Sequence, residues 1–183
     1  NIQYAVVIYT NVGIYQFVGT ITRQGKLEKF PVYVIHPDTQ LKKIQRREFY
    51  RFPCSISTNV VSVPREFVEL PNMDLIDEKV NSLSDEIKRN IGTIVNISGG
   101  GAKINAPHNL CLDEFMALAF VLETPKTTFR FNLLARSVSS EFNKNLGIYE
   151  NRVEFIFKDS EDREVIIKYI FDEDRRLRKK NQG

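Results

Sequence analysis

The feature that most limits the possible folds is a succession of short apolar runs, rich in β-branched and aromatic residues and separated by glycine and proline. Residues 4–9 (YAVVIY), 14–22 (IYQFVGTIT) and 30–35 (FPVYVI) form a first group, punctuated by Gly13 and the Gln24-Gly25 pair. They predict a short antiparallel meander, a partial smaller β domain whose remaining strands would precede Asn1. A second group comprises 52–63, 92–97, 101–105, 115–123, 127–139 and 147–157. The run 115–123 (FMALAFVLE) is nearly continuous in apolar residues, as in a strand covered on both faces. Many strands at such spacing imply a barrel or a sandwich. Between the groups, 36–45 (HPDTQLKKIQ) is polar, carries a proline, and reads as a linker.

Two segments break the strand pattern. Residues 64–91 contain Pro64 and Pro71 and are acidic, and they predict an excursion with a short helix near 82–90. Residues 160–180 predict a helix with Ser160 as N-cap and Glu161 and Asp162 in the first turn, where negative charge is favoured. Ile166, Ile167, Ile170 and Phe171 recur at helical spacing, Asp174 interrupts that stripe, and the last turns are cationic.

Apolar residues make up 42% of the 183, enough for a buried core and against wholesale disorder. No apolar run is long enough to span a bilayer and no signal-peptide pattern opens the chain. The expectation is a soluble, intracellular protein, with Asn1 in place of Met marking a fragment or a processed chain. The two cysteines, Cys54 and Cys111, make no disulfide framework and have no metal-ligand spacing. His36 and His108 each sit beside a proline, in loop-like context and without a partnering nucleophile. Paired carboxylates in an apolar setting are missing, and Gly99–Gly101 is not followed by the Lys-Ser/Thr of a nucleotide-hydrolysing loop, so no enzyme is expected.

Net charge is only +3, yet Lys42, Lys43, Arg46, Arg47 and Arg51 cluster within ten residues. A local cationic cluster on a near-neutral body suits a small anionic ligand better than a long polyanion. Arg47 and Arg51 are four apart, a spacing that puts both on one side of a strand or of a helix. A guanidinium can grip phosphate with two hydrogen bonds, read guanine O6 and N7, or stack on a purine, whereas lysine offers only a point charge. Downstream, Asn96 and Ser98 stand two apart at the end of a strand-like run, followed by Gly99, Gly100 and Gly101. Asn and Ser supply short donors and acceptors, and glycine lets backbone approach a ligand. Together these residues suit a compact, doubly anionic, purine-bearing ligand. Phe49 and Tyr50 are expected to pack rather than to stack on bases.

The pair Arg47-x-x-x-Arg51 and Asn96-x-Ser98-x-x-Gly101 resembles the two motifs of the PilZ domain family. The order of parts resembles the flagellar-brake group of that family, of the YcgR type: a β-rich start, a linker, the arginine motif, strands, then IIKYIF and RRLRKK in a basic helix. Asn96 stands where Asp is commoner, and the interval from Arg51 to Asn96 is lengthened by 64–91. The resemblance implies a mainly β fold: a six-stranded antiparallel β-barrel with a C-terminal helix, preceded by the partial β domain. It divides the chain into 1–41 and a PilZ domain at 42–183, with 64–91 inserted and 160–180 as the helix. It further implies cyclic di-GMP as ligand, held by Arg46, Arg47, Arg51, Asn96, Ser98, Gly100 and Gly101, with no cofactor and no metal. The implied output is a ligand-driven change in inter-domain arrangement that regulates flagellar motility, or another surface behaviour, through a protein partner at the flagellar motor, in the cytoplasm at the basal body. No specific nucleic acid and no membrane insertion are implied. Two rival readings stay open on the residues: a β-barrel that binds single-stranded nucleic acid, and a PilZ-like scaffold that has lost its ligand.

Overall fold

The computed structural model describes residues 2–82, 89–110 and 115–181. The described chain forms two compact units, residues 1–48 and 49–183.

The first unit is an antiparallel sheet. Strand β1 (Gln3–Thr10) pairs with β2 (Gly13–Leu27), which pairs in turn with β3 (Phe30–Pro37) and with β4 (Lys42–Ile44). The three expected strands are present. The second turn, however, falls at Glu28–Lys29 and not at Gln24-Gly25, with Leu27 opposite Phe30 and Glu28 at φ 56. Gly25 stays extended opposite Val32; a glycine permits a turn without demanding one. The 36–45 segment is no plain linker either. Asp38 accepts hydrogen bonds from the Gln3 and Thr20 side chains, and Ile44 pairs with Ile14. Strand β4 thus joins the N-terminal sheet, although the expected boundary places it with the barrel. Among the described residues of this unit only Gly19 is buried, so the sheet encloses no core of its own.

The second unit is a closed antiparallel barrel of β5 (Phe52–Val63), β6 (Arg89–Ser98), β7 (Gly101–Ala106), β8 (Phe115–Glu123), β9 (Thr128–Asn143) and β10 (Ile148–Ile156). The order around it is β10-β7-β6-β5-β8-β9, with β9 paired back to β10. Closure removes free strand edges. Inside lie Val60, Ile94, Ile97, Ile104, Met116, Leu118 and Leu133, with Phe120 stacked on Phe131 and Phe155 at centroid distances of 5.3 and 6.2 Å. Helix α2 (Ser160–Asn181) packs Ile166, Tyr169 and Ile170 onto this core, and Tyr169 meets Phe52 edge to face. Its N-cap is Asp159, whose Oδ1 accepts the Glu161 N–H at 2.9 Å, rather than the expected Ser160. Phe171, expected in the buried stripe, is exposed, and Tyr169 takes that place; packing against the barrel rotates the buried stripe from the predicted one.

The acidic excursion has a packing role. A 3-10 helix at Arg65–Glu69 and helix α1 (Met73–Ser82) lay Phe67 and Ile76 over Val61, Val63, Phe115 and Leu134 on the outside of the barrel. This cover explains the run 115–123: its first half is enclosed from both sides, whereas Val121 and Glu123 emerge. A helix is present at Met73–Ser82; of the predicted 82–90, 83–88 fall outside the described residues and Arg89–Asn90 belong to β6. Ile76 is fully buried. Ile76→Ala is expected to cost about 3 kcal/mol, from lost burial plus a cavity, read as a lower urea midpoint with little change in slope.

Candidate functional site

The site begins with a tight hairpin. Ser98 pairs with Gly101, which leaves Gly99 and Gly100 as the loop between β6 and β7. The Ser98 hydroxyl donates to the Gly101 carbonyl at 3.1 Å and lies 3.4 Å from the Gly100 N–H. Phe155 N–H donates to the Gly100 carbonyl at 3.0 Å, binding the turn to the far end of β10. Two of the glycines are required by space. A Cβ on Gly101 would stand 2.2 Å from the Val153 carbonyl oxygen, and one on Gly99 would stand 2.7 Å from both Ile167 and Phe49.

A β-bulge then aims the polar side chains. The β6–β7 register shifts between Ile94 and Asn96, leaving Val95 unpaired. Ile94 and Ile97, three apart, are both fully buried. Asn96 and Ser98, on either side of Ile97, therefore face away from the core.

Arg51 arrives at the same corner from β5. Phe52 pairs with Ile97 and Pro53 with Asn96, so Arg51 enters level with Ser98. Its side chain is exposed and forms no hydrogen bond or ion pair among the described residues, and the Asn96 side chain is likewise unengaged. The structure thus brings together Arg51, Asn96, Ser98, Gly100 and Gly101. Arg46 and Arg47 belong to the N-terminal unit. There Arg46 donates to the Tyr9 hydroxyl at 2.8 Å with its guanidinium 4.9 Å from that ring's centroid, while Arg47 is exposed. The arginine motif therefore straddles the boundary between the units at Glu48 and Phe49.

Sequence reading passed over two neighbours. Lys103 is the cross-strand partner of Asn96 and Arg152 that of Lys103. Lys103 bridges to Glu150 at 2.7 Å, and this bond, with a second from Asn143, holds the Glu150 carboxyl below the usual range. Arg152 bridges to Glu141 and Arg136 to Glu154, each at 2.6 Å. A two-residue Gly-Gly loop fixes hairpin register, so Lys103 opposite Asn96 was legible once Ser98 and Gly101 were taken as the closing pair. Phe49, expected to pack, lays its ring over the Gly99–Gly100 loop.

Cys54 is a half-buried, structural thiol. Its Sγ lies 3.5 Å from the Ile94 carbonyl, and burial pushes the thiol up to about 11. In a Cys111→Ser variant, which isolates it, alkylation at pH 8 should run about a hundredfold slower folded than unfolded, following the thiolate fraction. A rate equal to that of the unfolded chain would contradict the burial. Cys111 lies outside the described residues.

A helix-capped antiparallel barrel with an unengaged arginine and a polar glycine corner at one end defines a binding module. Among the described residues no group of three His, Cys, Asp or Glu could hold a metal ion. The chain belongs to the PilZ domain family, whose model matches residues 45–172. PilZ domains are binding and adaptor modules rather than enzymes. Among solved structures, the inhibitor of motility MotI/DgrA of Bacillus subtilis is similar at 18% identity with a TM-score of 0.69, over 96% of this chain and 73% of that one. YcgR of Escherichia coli in complex with c-di-GMP is similar at 15% identity and a TM-score of 0.53, over 97% and 68%. MrkH of K. pneumonia in complex with c-di-GMP is similar at 16% identity and a TM-score of 0.50, over 97% and 73%. At these identities the likeness is one of fold. No curated protein matches the chain.

Proposed function

We propose that this protein is a cyclic di-GMP receptor of the adaptor type. Arg51 and Asn96 carry the reading: both side chains are unengaged among the described residues, and both stand at the end of the barrel where the Gly99–Gly101 turn lies. Arg47 and Arg51 grip phosphate and guanine edges, with Arg46 as a further cation. Asn96 and Ser98 offer short polar groups, and Gly100 and Gly101 admit the ligand to backbone. Two of the similar folds, YcgR and MrkH, were solved with this dinucleotide. The cations on the strands beside the corner are already matched with Glu141, Glu150 and Glu154. Among the described residues, Arg51 at this corner forms no ion pair, and so local a charge is a poorer match to a nucleic-acid strand than to one dinucleotide.

Because Arg47 and Arg51 fall in different units, a ligand held by both favours one arrangement of the units over others, by the difference in its affinity for them. The output is regulation of motility through a protein partner at the flagellar motor, supported by the motility inhibitor among the similar folds. The action is placed in the cytoplasm, at the basal body. Among the described residues no helix is long and apolar enough to cross a membrane. Calorimetric titration decides the first claim. Cyclic di-GMP should bind saturably while GTP and a single-stranded oligonucleotide do not, and binding of the oligonucleotide alone would overturn the proposal. Expression in a swimming bacterium should shrink soft-agar spreading, and an Arg47→Ala variant that does the same would separate motility from the ligand.

A further inference from the structure

Resting on that reading, we propose that Phe49 is a positioning residue for Arg51, and that Arg163 of α2 holds Phe49 in place. The ring of Phe49 lies against the glycine loop so closely that a Cβ on Gly99 would stand 2.7 Å from its Cδ1, and one on Gly100 would stand 3.1 Å from its Cδ2. Ile167 of α2 crowds the same point, also at 2.7 Å from the Gly99 Cβ position. Arg163, one turn before Ile167, sets its guanidinium 5.7 Å from the Phe49 centroid and 4.8 Å from that of Phe157. A cation within about 6 Å of a ring face is attracted by its quadrupole. Arg163 thus bridges the segment before β5 and the segment after β10.

The anchor matters because Arg51 lies only two residues beyond it. Phe52 is buried and meets Tyr169 of α2 edge to face. Tyr50 reaches Asp174 of α2 through a long hydrogen bond of 3.4 Å. Arg51 is exposed, but its backbone runs between two aromatic side chains that both rest on α2. A long, flexible guanidinium loses less freedom on gripping a ligand when its backbone is already fixed. The side chain of Phe49 needs no contact with the ligand to do this. It sets where Arg51 starts, and α2 sets where Phe49 sits.

Two measurements on the same variants test this. In the ligand-free protein, backbone amide order parameters at Tyr50 and Arg51 from nuclear magnetic relaxation should fall measurably in Arg163→Met, which removes the cation but keeps the stem. Arg163→Lys should restore most of the order. Phe49→Leu should lower the order parameters further, and adding Arg163→Met to it should change nothing more, since the cation then has no ring to hold there. In titrations with cyclic di-GMP, Phe49→Leu should weaken binding about tenfold and Arg163→Met about threefold, with unchanged stoichiometry. Melting curves show whether each variant folds. A residue that only packs would lower the melting temperature and leave affinity alone. Wild-type binding with Arg163→Met and Phe49→Leu indistinguishable from it would overturn this proposal and leave the receptor function standing. A wild-type protein that does not bind would overturn the function itself, and this role with it.

Discussion

Arg51→Ala is expected to lower affinity for cyclic di-GMP by about a hundredfold, roughly 3 kcal/mol, as loss of one partner from a desolvated, charge-assisted pair does. The folded protein should hardly notice. Arg51 is exposed and makes no hydrogen bond or ion pair among the described residues, so its truncation leaves nothing unsatisfied behind. The melting temperature without ligand should stay within a degree or two of wild type, while the upward shift on adding the dinucleotide shrinks sharply. Arg51→Lys separates charge from geometry. The lysine keeps the point charge and loses the fork, so binding should weaken by about tenfold. Calorimetry on the three proteins reads all of this. Equal affinities for wild type and Arg51→Ala would remove the arginine from the site.

Gly101→Ala should disturb folding as much as the loss of a buried core side chain does. The added methyl would meet the Val153 carbonyl oxygen at 2.2 Å and the Glu154 Cα at 3.2 Å, both backbone. Gly101 pairs with Glu154 across β7 and β10, and this pairing helps to close the barrel. The clash cannot be relieved by a side-chain rotation. One strand must move, at an expected cost of about 3 kcal/mol, or a melting temperature lower by about 10 °C for a chain of this size. Gly100→Ala is the internal control. There the nearest atom is the edge of the Phe49 ring at 3.1 Å, which can shift, so the loss should stay below about 1 kcal/mol. Scanning calorimetry that finds the two substitutions equally costly would contradict the close approach at Gly101.

How far the site could be read without coordinates varies residue by residue. The turn at Gly99–Gly100 was legible, because three glycines after an apolar run leave the chain few alternatives. That Asn96 and Ser98 share a face also came from strand periodicity. The reason both inner neighbours, Ile94 and Ile97, remain buried was not legible, since it depends on a bulge against β7. Arg51 could be counted as a cation but not placed. Its position level with Ser98 is set by the pairing of Phe52 with Ile97, residues 45 apart in the chain. Arg46 illustrates the opposite case: its contact with Tyr9, across the N-terminal sheet, was invisible in a run of basic residues. The same holds for the excursion at 64–91, whose acidity drew attention while its buried Phe67 and Ile76 did the packing.

Amino-acid order was enough for the strands other than β4, the terminal helix, and the spacing of two arginines and of an Asn, a Ser and a Gly. These are local properties, fixed by side-chain periodicity, by glycine's freedom and by the chemistry of a guanidinium. Tertiary structure alone decided that β5 lies between β6 and β8, where the bulge turns Asn96 outward, which face of the barrel α1 covers, and that Phe49 rests on the glycine loop beneath Arg163. Those choices are made by barrel closure and by side chains far apart in sequence excluding water together. Such free energies belong to pairs of distant segments, and no single stretch of chain carries them.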